Sequence, residues 1–235
     1  MIPMGANTPI DEAPARRFPV VNITLIAVNF AVFLFYELPN PTAAMLHASF
    51  YPATLTGWHG PEPWEISWVT AMFLHDGWAH ILGNMLFLWV FGNDVERGFG
   101  SLKYLVFYFA GGFVATLTQA GMTLLFSSAA AARVPCLGAS GAIAAVLGAY
   151  FILYPKSRIV LFPIPLVVPA WLFLGLWFLY QFVMANLGLL SPGNSGVAFF
   201  AHVGGFIFGL VATKILLSTN RVAPADTAEQ RGAAW

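Results

Sequence analysis

Charge is what this sequence has least of: Asp, Glu, Lys and Arg make up 9% of its 235 residues, against about 25% in an ordinary soluble domain. With an apolar share of 59%, that scarcity excludes a soluble globular domain and puts most of the chain in lipid. There is a single cysteine, Cys136. It allows neither an intramolecular disulfide nor a thiol-rich metal site, and it leaves the redox compartment open. The formal net charge is zero, so there is no excess of basic residues for nucleic acid. The opening residues, MIPMGANTPIDEAPARRF, place acidic residues and prolines ahead of any apolar run, unlike the basic n-region of a cleaved signal peptide. No internal repeat is present.

What the chain does have is apolar runs of bilayer length. Roughly 20 helical residues cross a hydrocarbon core of about 30 Å. Six stretches reach or approach that length, at about 19–37, 78–95, 103–126, 139–154, 168–188 and 197–217. Turn-forming sequences separate them, among them Pro39-Asn40-Pro41, Gly98-Phe99-Gly100, Pro163-Ile164-Pro165 and Ser191-Pro192-Gly193-Asn194. The expected fold class is an all-α membrane protein of six transmembrane helices spanning 19–218, with polar tails at 1–18 and 219–235. An even number of spans puts both tails on one side. Arg16, Arg17, Arg97, Lys103, Lys156, Arg158, Lys214 and Arg221 flank that side, while the opposite loops hold only Arg133. The positive-inside bias therefore makes the tails cytoplasmic. The loop of about 38–77 is then outside, with Glu37, Glu62, Glu65 and Asp76 around it, and its Trp58, Trp64 and Trp68 read as interfacial aromatics.

Polar groups within spans are costly and mark packing or a functional path. Those that stand out are His80 and Asn84 in the second span, Gln119 in the third, Ser140 opening the fourth and His202 in the sixth. Even-numbered spans run in the same direction, so His80, Ser140 and His202 come to one depth by topology. His80 and Asn84, four residues apart, share a helical face. Gly205 and Gly209 follow His202 on its own side of the helix, and the start of the fourth span is small throughout, including Gly138 and Gly141. Missing side chains let backbones approach, which would bring Ser140 within reach of His202. A serine needs an adjacent base to become a nucleophile. The fourth span, about 16 residues at roughly 1.5 Å each, gives only about 24 Å, so its start should be sunk, its free N–H groups facing a developing negative charge. Taken singly, Gly-x-Ser-Gly reads as packing, His202 as a structural histidine and His80 with Asn84 as an interhelical pair. Their convergence from three helices at one depth favours a reaction site. Gln119, Asn22 and Asn29 are read as packing residues. His75, His80 and His202 offer imidazoles that a metal would need to find together, but no HExxH motif is present and no acidic residue lies within the spans away from their ends, so neither metal nor cofactor is expected.

These residues also carry a resemblance. The chain resembles rhomboid intramembrane serine proteases over about 19–218, through FLHDGWAHILGNMLFLWVFGNDVE at 73–96, GASGAIAAVLG at 138–148 and AHVGGFIFG at 201–209. The resemblance implies a six-helix rhomboid-like bundle and a catalytic dyad of Ser140 and His202 without an aspartate. Asn84, His80 and the backbone N–H of Ser140 would stabilise the oxyanion, with Gly138, Gly141, Gly205 and Gly209 supporting the packing. It implies as partners single-pass transmembrane proteins cut in or near the membrane, where helix-breaking residues ease unwinding. It further implies a multi-pass protein of a prokaryotic inner membrane, its active site facing the outer side, a structural role for His75, and lateral access for substrate beside the fifth span. The segment 188–200 suits a mobile lid. Two departures are visible. Ala144 stands where many members carry an aromatic packed on the base, and Ile66-Ser67, or Ser67-Trp68 in another register, stands in place of a Trp-Arg pair. Ala144→Phe is expected to be tolerated. Trp171 and Trp177 read as interface anchors. A silent rhomboid-like protein that binds transmembrane helices is the alternative, though it needs neither Ser140 nor His202. A transporter using the same cavity is a third, with flux that survives Ser140→Ala. Oligomeric state is left open.

Overall fold

The computed structural model describes residues 18–60, 64–161, 166–190 and 198–219. The polar tails, except Phe18 and Thr219, and most of the expected lid lie outside the described residues. The chain forms α1 (Val20–Val32), extended by a π-helical turn Phe33–Glu37, then α2 (Pro41–Ala48) and α3 (Ser67–Thr70) in the first long connection. Next come α4 (Trp78–Phe87), a π-helical turn Leu88–Gly92, α5 (Asn93–Phe99) and α6 (Ser101–Phe126). They are followed by α7 (Ser140–Leu153), strands β1 (Arg158–Leu161) and β2 (Leu166–Pro169), α8 (Ala170–Leu190) and α9 (Phe199–Ser218).

Among the described residues, four helices are long and apolar enough to cross a membrane: Val20–Glu37, Ser101–Phe126, Ala170–Gly188 and Phe199–Ser218. Large side chains such as Phe35, Leu102, Leu125, Leu176 and Ile215 are exposed on them, the outward apolar face that lipid requires. α4 runs through its π turn into α5 without a break, and that last part carries Asp94, Glu96 and Arg97. α7 is shorter, and all its residues from Gly141 to Tyr150 are buried, so it forms the axis around which the others pack.

Lipid tails are as apolar as leucine, so helices associate through close packing rather than through exclusion from solvent. The contact of α7 with α9 shows how. A Cβ on Gly205 would collide with the Gly141 carbonyl, one on Gly209 with the Ala145 carbonyl, and one on Gly148 with the Phe206 carbonyl. On the other side of α7, a Cβ on Gly141 would lie 2.7 Å from Ala115 of α6.

Polar contacts fix the entry angles of the helices. The Glu96 carboxylate accepts hydrogen bonds from the backbone N–H groups of Val21 (3.1 Å) and Asn22 (2.7 Å) and from Ser101 Oγ (2.6 Å), so an acid on α5 caps α1. Asn22 in turn donates to the Leu88 carbonyl and to Asn93 Oδ1, each at 2.9 Å, and accepts from Tyr104 Oη at 2.6 Å. Gly100, at φ 80°, permits the sharp reversal from α5 into α6.

Two features depart from the sequence expectations. β1 and β2 pair antiparallel, Arg158 opposite Pro169, in a connection where the sequence reading placed only a break. The first long connection is largely packed onto the bundle: Trp68 lies 4.4 Å from the Phe50 ring and 4.8 Å from that of Phe113 on α6. Trp68 therefore anchors the loop to protein rather than facing the interface alone, and it does so without a Trp-Arg pair.

Candidate functional site

The serine loop is built by strand-like pairing. Phe50 and Cys136 exchange backbone hydrogen bonds at 3.0 and 2.7 Å, and the Gly138 N–H donates to the Ala71 carbonyl at 2.8 Å. Gly138 has φ 119°, a conformation open to glycine alone at little cost. A Cβ there would also lie 3.0 Å from His80 Nε2. Two residues later α7 begins at Ser140, and the first hydrogen bond of its backbone runs from Ile143 to Ala139. The N–H groups before Ile143 are thus left without helical partners.

Ser140 Oγ and His202 Nε2 are 2.7 Å apart. This contact joins α7 to α9 and is permitted by the glycine packing one turn further along. On the far side of the imidazole, His202 Nδ1 lies 2.8 Å from Gln181 Oε1 on α8. Trp177, one turn before Gln181, stacks obliquely on His202 with ring centroids 6.0 Å apart, and Phe199 meets it edge-on at 6.4 Å. Trp177 also lies 6.0 Å from Phe206, so it packs inward and is not an interface anchor. Trp171, by contrast, is 51% exposed.

His80, Asn84, Ser140 and His202 all line one cavity of about 1020 Å³. The Asn84 side chain is buried, and its Nδ2 has no hydrogen-bond partner among the described residues. An unsatisfied buried amide in a native fold calls for an explanation. Here the cavity it lines provides one, because an arriving acceptor would satisfy it. His80 Nδ1 is held from the loop before α4, at 3.4 Å from the Asp76 N–H and 3.6 Å from Asp76 Oδ1. That loop is braced from below by Glu37, both of whose carboxylate oxygens accept the His75 N–H at 2.9 Å. The sequence reading assigned Glu37 to the acidic outer connection. It is in fact buried in the last turn of the first long helix.

His75 is buried, with its ring 5.0 Å from that of His80. Burial first, and then the neighbouring His80, lowers its pKa to about 3. Burial likewise pushes the Cys136 thiol up to about 12. Among the described residues no group of three His, Cys, Asp or Glu side chains is arranged to hold a metal ion.

Gln119 belongs to this site more closely than the sequence reading placed it. Its Oε1 accepts the Ala201 N–H at 3.2 Å, at the start of α9, and its Nε2 donates to Thr123 Oγ1 at 3.2 Å. It also lines a pocket of about 40 Å³ beside Ser140. Gln181 the sequence reading missed altogether. A glutamine in an otherwise apolar span was the available signal, but nothing local indicated that it faces His202.

Apolar helices enclosing a polar, histidine-lined cavity define an integral membrane protein. The family model for the rhomboid domain matches residues 61–219, and the chain belongs to the rhomboid family. It is 31% identical over 157 residues to RHOMBOID-like protein 12, mitochondrial, of Arabidopsis thaliana, a match covering 61% of this chain and 44% of that protein. Rhomboid protein 1, mitochondrial, of Saccharomyces cerevisiae is 28% identical over 198 residues, covering 80% of this chain and 50% of the relative. Rhomboid protease AarA of Providencia stuartii is 28% identical over 225 residues, covering 88% and 76%. The chain thus spans about half the length of the two mitochondrial relatives.

Proposed function

We propose that this protein is an intramembrane serine endopeptidase that cuts single-pass membrane proteins in or near their transmembrane segments. The observation that carries the reading is the 2.7 Å approach of Ser140 Oγ to His202 Nε2 across two helices. In this reading Ser140 Oγ attacks the scissile carbonyl while His202 Nε2 takes its proton. Asn84 Nδ2, His80 and the Ser140 N–H receive the oxyanion as it forms. His202 then gives the proton to the leaving amine, and a water attacks the acyl-enzyme with His202 again as base. No cofactor enters the cycle. Gly138, Gly141, Gly205 and Gly209 act by letting the backbones of α7 and α9 meet.

The same reading gives six membrane spans, counting α4 with α5 as one and α7 as another. α7, 14 residues long, extends only about 21 Å at roughly 1.5 Å per residue, so Ser140 sits below the surface in a water-filled cavity. Both termini are cytoplasmic, the site opens to the outer side, and the membrane is a prokaryotic inner one. Two of the similar proteins are named as proteases, AarA of Providencia stuartii and GluP of Bacillus subtilis, the latter 33% identical over 156 residues.

The test is cleavage, in proteoliposomes, of a reporter with one transmembrane helix and helix-breaking residues near its outer end. The parent should cut it, and Ser140→Ala and His202→Ala should not. A fluorophosphonate should label Ser140 in the parent alone, since only an activated serine reacts. Folded parent protein that neither cuts nor labels would support the silent helix-binding alternative.

A further inference from the structure

We infer that Gln181 of α8 is the positioning residue for His202, a neutral third member of the site that selects the imidazole tautomer. The inference rests on the proteolytic reading of Ser140 and His202. To accept the Ser140 proton at Nε2, His202 must carry its own proton on Nδ1, because neutral imidazole has one donor and one acceptor nitrogen. A buried Nδ1–H needs an acceptor, and Gln181 Oε1 lies 2.8 Å away. Both side chains are buried, Gln181 at 6% exposure and His202 at 9%, so water does not readily substitute for either. In the opposite tautomer Nε2–H would point at Ser140 Oγ, and the serine would face a donor instead of a base.

The amide suits its location. A carboxylate in that place would bury a charge amid apolar helices, at a cost that only a counter-charge repays. Among the described residues that line the cavity, the other titratable groups are His80, its neighbour Asp76 and the Cys136 thiol. Gln181 fixes direction without adding charge. It acts together with Trp177, four residues earlier on the same face of α8, whose ring lies over the imidazole. α8 thereby supports the base at a site where Ala144 of α7 offers no ring.

The experiment combines kinetics with histidine ¹⁵N NMR on the full-length protein in lipid. Gln181→Met keeps the length and removes the acceptor; Gln181→Glu keeps an acceptor and adds charge. In the parent, His202 should show a protonated Nδ1 and an unprotonated Nε2. Gln181→Met should lower kcat by roughly tenfold or more with KM within about twofold, and should mix the tautomers. Gln181→Glu should recover kcat relative to Gln181→Met and move the acidic limb of its pH profile upward, because a carboxylate favours the imidazolium. A parent with Nε2 protonated overturns the inference whatever the variants do. So does a Gln181→Met protein that keeps both the parent's kcat and its tautomer. A parent that shows the Nδ1–H tautomer yet neither cuts nor labels with fluorophosphonate overturns the proteolytic reading instead, leaving the Gln181 contact as observed.

Discussion

At the scale of single residues, the site is defined by groups whose polarity would be costly without a use. The Asn84 amide lines the cavity with its Nδ2 unpaired among the described residues. Asn84→Ala should therefore lower kcat by about 10²–10³ with little change in KM, as read on the transmembrane reporter. An unchanged kcat would remove Asn84 from the oxyanion site. His75 gives a prediction about stability. Its pKa in the fold, about 3, lies below the usual histidine value, so the unfolded chain binds a proton over a range where the folded one does not. Its stabilising contribution is complete above about pH 6.5 and is lost as pH falls toward 3, at up to about 1.4 kcal/mol per unit. Thermal unfolding of parent and His75→Gln at a series of pH values should show a shallower acid dependence in the variant. Ser140, His202, His80 and Asn84 were all legible in the sequence, because polar side chains in an apolar run stand out. Gln181 and Glu37 were not read as site residues. What distinguishes them is the partner each faces, and that partner is 21 residues away for Gln181 and 38 for Glu37.

At the scale of elements, the contact of α7 with α9 decides whether nucleophile and base meet. The Gly205 and Gly209 positions face backbone carbonyls of α7 with no room for a Cβ. Gly209→Val should force the helices apart, lower the melting temperature and weaken fluorophosphonate labelling of Ser140 in parallel. Labelling that stays at the parent level in such a variant would show that the helices separate without moving the site. The sequence-based expectation for Ala144→Phe is revised by the same packing. Ala144 is completely buried in the core, its Cβ 3.2 Å from where a Gly205 side chain would begin. A phenylalanine there overpacks the interface, with a cost of about 1–3 kcal/mol or more, measurable as a lowered melting temperature. The space that an aromatic would take at position 144 is closed, and Trp177 approaches His202 from α8 instead. The strands β1 and β2 escaped the sequence reading because short β-branched runs between long apolar helices carry no periodic signal of their own.

At the scale of the whole molecule, the proposed orientation puts Arg158 and Ala130 on opposite sides of the membrane. In a Cys136→Ala background, a membrane-impermeant maleimide added to intact cells should label Ala130→Cys and spare Arg158→Cys; the reverse pattern would invert the topology. Cys136 itself, half-buried and with its thiol pushed up to about 12, should label far more slowly in the folded parent than Ala130→Cys does, as mass spectrometry would show. By itself the sequence determined that this is a membrane protein of apolar helices, and it located the long ones but not the short α2 and α3, because bilayer thickness imposes a length and a polarity that a linear reading can count. It also marked Ser140 and His202, since polar groups in lipid need a reason. Only the tertiary structure decided how the imidazole is held, by Gln181 and Trp177 of α8, how the loop under His80 is braced by Glu37, and why Ala144 has no room for a ring. Those depend on which helix faces mate and how closely, and close packing of small residues over long sequence separations leaves no periodic trace along the chain.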